Sequence, residues 1–351
     1  NTGKADYKYG SDIKVSGFES VVKVEDSYDS GDGNMINTVV KSSDYTDRYV
    51  TYDVLDDGFG QGALYTVVKQ AENLPTMYQK FYVYKDMPYA LVQVELGSDN
   101  EISTNFMAPI STSGENVVDI VTKTDARALF VPFSNDGYTA YNPETLNGAH
   151  TSYFVTAIFD NNSRNSVIAG SVDHDTWKTG TSTWATADNG NINFFGAFAG
   201  INSKEFTYDF QPHGSIKGTK VSSPKMFLGY FDDWRDGMET YGDANKRNNG
   251  KLSWGSGSIF GFSSWNAHQD KVTLENMKNA SDEMATLNAG GFCDENGITW
   301  VNIDSYYDNL IDNSKEDPYT ELKEYVEYAH NKGLKVGLYN ARHVLWDNDM
   351  Q

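Results

Sequence analysis

The chain has 351 residues, 39% hydrophobic and 22% charged, with 28 lysines and arginines against 49 aspartates and glutamates, a formal charge of −21. So acidic a chain repels nucleic acid and anionic membranes, which argues against both as partners. The single cysteine, Cys293, excludes an internal disulfide and a cysteine cluster for zinc, and no run approaches the roughly 18 apolar residues of a membrane-spanning helix.

Residues 1–220 alternate in the two-residue period of strands. Short strands are predicted at Val21–Glu25, Tyr49–Leu55, Leu64–Lys69, Ala128–Pro132, Asn193–Ala199 and Glu205–Phe210. Two hairpins stand out. "QKFYVYKDMPYALVQVEL" turns at Lys85-Asp86, and "SYFVTAIFDNNSRNSVIAGSV" turns over Asp160–Asn165. "DSGDGN" (Asp29–Asn34) lacks the full spacing of a calcium loop and reads as a hairpin turn. "GFGQG" (Gly58–Gly62) reads as another turn, because strands flank it and no helix follows to hold a phosphate. No helix of three turns is expected here. Many short strands with turn chemistry between them predict a large antiparallel β-sandwich over residues 1–225.

The pattern changes near Pro224. Trp234, Met238 and Tyr241 fall at helical spacing, so a helical connector is expected within residues 226–256, from Asp232 to about Lys246. Residues 257–351 then alternate strand and helix. "SIFGFSSW" is a strand. "TLENMKNASDEMATLN" is a helix capped by Thr273, with Leu274, Met277, Ser281, Met284 and Leu287 on one stripe. "ITWVNID" is a strand. "DPYTELKEYVEYAHNKG" is a helix with Asp317 as N-cap, a face of Leu322, Tyr325, Val326 and Ala329, and a stop at Lys332-Gly333. "LKVGLYN" is a third strand. This βαβ rhythm implies parallel strands, in a doubly wound sheet or the start of a (β/α)8 barrel. Neither completes in the 95 residues from Gly257, which predicts a fragment of a longer protein. Three barrel strands would leave an open edge, so self-association into a homo-oligomer is expected.

In parallel α/β folds, ligands bind beyond the carboxyl ends of the strands. Those ends carry Trp265, Asn266 and His268, then Asp304, Ser305, Tyr306 and Tyr307, then Tyr339, Asn340, Arg342 and His343. The bland reading makes Asp304 a turn cap and Trp265 loop packing. His268 and His343 read as polar loop residues, since no His-x-x-His or His-Glu-x-x-His spacing exists, and no metal or cofactor is expected. Tyrosine and tryptophan are abundant, at 23 and 7 residues, and offer the flat apolar face and polar edge that suit sugars as well as core packing. The polar opening "NTGKADYKYGSD", without an initiator methionine, reads as a processed chain and predicts a secreted or cell-surface protein.

"FSSWNAHQDKVTLENMKNASDEMATL", "ITWVNIDSYYDN" and "AHNKGLKVGLYN" together resemble the opening of the catalytic barrel of clan D glycoside hydrolases, the α-galactosidases, α-N-acetylgalactosaminidases and raffinose-synthase-like proteins. "DDGFGQGALYTV", "YQKFYVYKDMPYALVQVEL" and "GSVDHDTWKT" resemble the sandwich that precedes that barrel in glycoside hydrolase family 36. The resemblance implies retaining hydrolysis of terminal α-galactoside-like or α-N-acetylgalactosaminide residues through a covalent intermediate. It implies that both catalytic aspartates lie on barrel strands four and six, beyond Gln351, so no residue of this chain inherits either role. What it carries over is sugar binding. Trp265 and Tyr339 match pocket-lining aromatics, and Asp304 matches the first of two paired aspartates that accept hydrogen bonds from sugar hydroxyls. Asn266, Ser305, Tyr306, Asn340 and His343 complete the expected substrate-binding set. Ser305 stands where the family has its second aspartate, and Tyr306-Tyr307 where it has Gly-Trp. The glycone is therefore open among galactose, N-acetylgalactosamine and another or modified hexose. The alternative is a carbohydrate-binding protein or fragment without catalysis.

Overall fold

The computed structural model describes residues 3–29, 35–132, 141–186, 190–200, 214–251 and 258–339. It divides into two compact units, Asn1–Lys251 and Leu252–Gln351. The first begins with β1 (Ala5–Tyr9), β2 (Asp12–Asp29), β3 (Met35–Lys41), β4 (Asp47–Asp57), β5 (Gly60–Gln70), β6 (Thr76–Tyr84) and β7 (Tyr89–Ser113). It continues with β8 (Ala126–Phe130), β9 (Asn142–Thr145), β10 (Gly148–Tyr153), β11 (Val155–Asp160), β12 (Ser166–Ser171), β13 (Thr179–Ala185), β14 (Ile192–Ala199), β15 (Ile216–Ser222) and β16 (Met226–Phe231), and ends in α1 (Trp234–Asn249).

All sixteen strands join one hydrogen-bonded sheet, and each pairing among the described residues is antiparallel. The 25-residue β7 organises it. Its first part pairs with β6 and β16, and its later part pairs with β2 and β14. A strand that changes partners along its length folds a continuous sheet back on itself as a sandwich. Both predicted hairpins form: Val83 lies opposite Ala90 across the Lys85-Asp86 turn, and Val155 opposite Gly170 across the 161–165 turn. Gly58 and Phe59 make the tight turn between Asp57 and Gly60 that joins β4 to β5. The strand expected at Glu205–Phe210 and residues 30–34 of the expected Asp29–Asn34 turn lie outside the described residues.

The strands β11, β12 and β16 are buried along their whole length because both faces are covered. Ile158, Val167, Ala169, Met226, Leu228 and Tyr230 point into the sandwich core. The alternate residues Ala157, Phe159, Ile168, Phe227 and Phe231 meet Tyr241 and Ala244 of α1 on the other side. The helix predicted as a connector is thus an amphipathic cover, and the strand before it, Met226–Phe231, was not singled out by the sequence reading. Gly237 lets α1 sit close: a Cβ there would lie 2.8 Å from both Ile168 Cγ1 and Phe231 Cδ2. Gly237→Val is expected to destabilise the protein by about 1–3 kcal/mol through overpacking, seen as a lower urea midpoint at unchanged slope. Gly242 on the same helix has nothing within 4 Å of a Cβ, so Gly242→Ala is the control and is expected to be neutral or stabilising. Equal losses at both positions would mean that close packing at Gly237 is not what matters.

The second unit carries β17 (Gly261–Ser263), α2 (Trp265–His268), α3 (Leu274–Ala289), β18 (Trp300–Ile303), α4 (Thr320–Asn331) and β19 (Lys335–Leu338). Its three strands are parallel, in the order β17-β18-β19. Thr273 caps α3 as expected, in a capping box closed by Asn276. Of the predicted stripe, Met277, Ser281 and Met284 are buried, but Leu287 is exposed. Helix α4 starts at Thr320, not one residue after the predicted cap Asp317. Asp317 still accepts from the Tyr319 amide at 3.1 Å, so it closes the turn that leads into the helix. At the other end Gly333 takes a φ of +79°, and the amides of Gly333 and Leu334 donate to His330 O and Ala329 O, the Schellman closure that the Lys332-Gly333 stop predicts. Among the described residues, no helix is long and apolar enough to cross a membrane.

Candidate functional site

Strand alternation sorts the second unit's sheet into two faces. Phe262, Val301, Ile303 and Val336 pack with Met277, Met284, Tyr325 and Ala329 of the helices. The opposite face therefore carries Gly261 and Ser263, then Trp300, Asn302 and Asp304, then Lys335, Gly337 and Tyr339, aligned by the registers Ser263–Asn302 and Asn302–Gly337. Gly337 leaves room for the neighbouring side chain, because a Cβ there would lie 2.6 Å from Asn302 Oδ1. One face is a helix-covered core and the other is polar and aromatic.

At the carboxyl edge the three strand ends are tied together. The Ser264 amide donates to Asn302 O at 3.0 Å and the Tyr339 amide to Ile303 O at 2.9 Å. The buried Ser264 hydroxyl accepts from the Asp304 amide at 2.9 Å, and Ser263 Oγ donates to Asp304 Oδ2 at 3.2 Å. Among the described residues, Asp304 Oδ1 has no hydrogen-bond partner. Its carboxylate accepts nothing from the turn that follows, so Asp304 does not act as the cap of that turn.

Ser305 and Tyr306 come next, with φ of +62° and +54°. Two successive left-handed residues without glycine are strained, by about 1–2 kcal/mol each. They reverse the chain and lead into a short 3-10 helix at Tyr307–Leu310. The Tyr306 ring then lies nearly parallel to that of Trp265, 6.3 Å between centroids at 15°. Both rings are open, Trp265 at 44% and Tyr306 at 38% exposure, and Tyr339 is exposed as well. The result is an aromatic wall beside a carboxylate with an unused lone-pair edge.

Of the expected residues, Trp265, Asp304, Ser305 and Tyr306 gather at this edge, joined by Tyr339 at the end of the next strand. Asn266 is exposed on the four-residue α2. Asn340 and His343 lie outside the described residues. Ser263, Ser264 and Asn302 were not anticipated. The repeated serine at the end of a strand facing an Asn-x-Asp alternation is the signal that points to them. Among the described residues, no group of three or more His, Cys, Asp or Glu is placed to hold a metal ion.

No family model matches the chain, and no curated protein matches it. Solved structures do. The galactosidase domain of the alpha-galactosidase-sucrose kinase AgaSK aligns at 14% identity with a TM-score of 0.54, over 90% of this chain and 45% of that one. A variant of the glycoside hydrolase family 36 α-galactosidase AgaA from Geobacillus stearothermophilus, solved with raffinose, aligns at 12% identity with a TM-score of 0.51, over 95% of this chain and 47% of that one. A glycoside hydrolase family 97 enzyme from Pseudoalteromonas sp. strain K8, in complex with acarbose, aligns at 12% identity with a TM-score of 0.55, over 96% of this chain and 51% of that one. At these identities the likeness is one of fold: a large antiparallel β-sheet followed by a short parallel β/α segment. The chain spans about half the length of each solved structure.

Proposed function

We propose that this chain is the sandwich and barrel-opening part of a retaining α-glycoside hydrolase, with its two catalytic aspartates on barrel strands beyond residue 351. In this reading Asp304, Trp265, Tyr306 and Tyr339 grip the terminal sugar. The observation that carries it is the parallel pair Trp265–Tyr306 beside the open carboxylate edge of Asp304, at the carboxyl end of parallel strands. An aromatic face covers the C–H face of a pyranose, and a carboxylate is a strong directional acceptor for its hydroxyls. The likeness of fold to solved α-galactosidase and glycoside hydrolase family 97 structures supports the same substrate class. An extracellular location fits this role.

Two readings of the glycone compete. An α-galactoside or α-N-acetylgalactosaminide follows from the sequence resemblance. Ser305 favours a second reading, an α-glucoside, because the position that supplies a second carboxylate for galactose is a hydroxyl here; the family 97 structure with acarbose supports it. Titration with galactose, N-acetylgalactosamine and glucose separates the two by which sugar binds. For whichever binds, Asp304→Asn is expected to weaken affinity by about 10–100-fold, the worth of a charge-assisted hydrogen bond. An Asp304→Asn protein that binds as well as the native one would remove Asp304 from the site. Turnover of aryl α-glycosides by the protein with its downstream strands, with the anomeric configuration retained, distinguishes the hydrolase from a sugar-binding protein without catalysis.

A further inference from the structure

The core face of the sandwich does not end where its cover does. Residues opposite one another in a ladder share a face of the sheet, so Val92, Phe81, Tyr65 and Tyr52 form one row across β7, β6, β5 and β4. Exposure climbs along that row. Val92 is 1% exposed and belongs to the sandwich core, Phe81 packs partly buried against it, Tyr65 is 42% exposed and Tyr52 57%. The neighbouring row ends the same way, with Val83 45% and Val54 75% exposed. The sheet thus runs out from under the other layer as an apolar shelf.

A cleft of about 460 Å³ opens where the shelf meets the cover, within the range of about 300–1,000 Å³ usual for small-ligand pockets. It is lined by β1 from Asp6 to Gly10 on one side and by Phe81 and Val83 on the other, with Phe18 and Val92 of the core behind. The Tyr7 hydroxyl fixes β1 in this position, donating to Pro88 O at 3.0 Å and accepting from the Tyr230 amide at 3.1 Å. Polar groups stand at the rim with nothing to bond. Asp6 accepts from the Gly17 amide through Oδ1 at 2.7 Å, and among the described residues its Oδ2 has no partner. The same holds for Lys8 Nζ and for the hydroxyls of Tyr9, Tyr65 and Tyr52.

The shelf that leads from the cleft to Tyr52 carries no charged side chain in either row, although the chain has a net charge of −21. That favours a neutral ligand. Open tyrosine rings with free hydroxyl edges, beside one free cationic donor and one free anionic acceptor, suit a pyranose: its C–H face lies on the rings and its hydroxyls reach the rim. We propose that the cleft and shelf bind an α-linked oligosaccharide. One pyranose enters beneath β1 against Phe81 and Val83, and the following rings run over Tyr65 and Tyr52. The class of ligand rests on the glycoside hydrolase reading above, but the site is another than that around Asp304, built wholly from the first compact unit.

Raffinose and maltotriose are the probes, titrated into the full chain while the backbone amide resonances of Gly10, Val83 and Asp304 are followed. With at least one of the two sugars, Gly10 and Val83 are expected to shift together, and equally in the native and Asp304→Asn proteins. Tyr65→Ala, at an exposed position, should raise the dissociation constant read at Gly10 about tenfold. Val83→Arg, also exposed, should weaken it as much by filling the cleft. Neither change should alter the response at Asp304. Gly10 and Val83 silent with both sugars overturns the proposal, and the hydrolase reading still stands if Asp304 responds. Shifts at Gly10 and Val83 with Asp304 silent support the cleft and count against that reading instead. Shifts that both variants leave unchanged, or that follow protein concentration and not sugar, overturn the proposal, because another surface or a second copy of the chain then causes them.

Discussion

Replacing Asp160 with alanine is expected to cost the β-rich unit about 3 kcal/mol of stability and to remove part of its acid sensitivity. Asp160 is fully buried at the end of β11. Its carboxylate accepts from the amides of Asp125 at 2.7 Å, Asn162 at 3.1 Å and Ser163 at 2.8 Å, and from Thr124 Oγ1 at 3.1 and 3.0 Å. One side chain thus fastens the β11–β12 turn to the segment that enters β8. The same turn reaches the helix that covers the sandwich, since the Trp234 amide donates to Arg164 O at 3.0 Å. Alanine would strip the acceptor from all four donors at once.

Burial pushes the Asp160 carboxyl up, but the amides of Ser163 and Asp125 and the hydroxyls of Thr124 and Ser163 outweigh it and hold it at about 2, below its ordinary value of 3.8. A group depressed on folding stabilises the fold fully above its unfolded value and loses that contribution as pH falls through its folded value. The native protein should therefore lose stability between about pH 4 and pH 2 through this group. The gap between native and Asp160→Ala should narrow across the same window. Urea titrations of both proteins from neutral to acid pH read this directly. A gap that stays constant through that window would show that the carboxylate's charge plays no part in holding the turn.

The sequence showed most plainly those elements whose chemistry is local. The hairpins β6–β7 and β11–β12 have apolar alternation on both arms and a polar turn between, and helices α3 and α4 carry their own caps and stripes. The strands that escaped notice depend on neighbours far away in sequence. β13 reads "TGTSTWA", a composition of turn residues, yet Thr179, Thr181 and Thr183 are buried because β10 and β14 flank it and the sandwich covers it. β16 lost its strand signal by running into the helical pattern of α1. At the site, a strand ending in an acid pointed to Asp304, but not to the serines that orient it, because that contact joins residues 41 apart. Tyr306 is the informative exception. It occupies the position of the glycine in the resembled Ile-Asp-Asp-Gly-Trp pattern and keeps a left-handed φ of +54°. The backbone path that glycine takes freely is held here by a tyrosine, whose ring is then delivered to Trp265.

The same dependence on backbone path predicts the largest effect at the site. Gly261 opens β17 with a φ of +150°, and a Cβ there would lie 1.9 Å from the carbonyl oxygen of Trp300 and 2.8 Å from its carbonyl carbon and amide nitrogen. No rotamer relieves that overlap, because every atom it meets is main chain of the strand that β17 pairs with. Alanine at 261 must push β17 off β18, adding an unfavourable φ to a lost ladder, a loss of about 4 kcal/mol. Ser263 and Ser264 leave with the strand, and with them the hydroxyl contacts that fix Asp304. Gly261→Ala is therefore expected to abolish the sugar binding proposed for this site although it removes no group proposed to touch the sugar. Amide exchange at Trp300 and Lys335 separates the causes. Protection should fall at Trp300, whose amide donates to Phe260 O at the start of β17, more than at Lys335, whose amide donates to Thr299 O on the β18 side. Native protection at both positions, with binding intact, would mean that β17 can pair with β18 by another path and that Gly261 does not set the site.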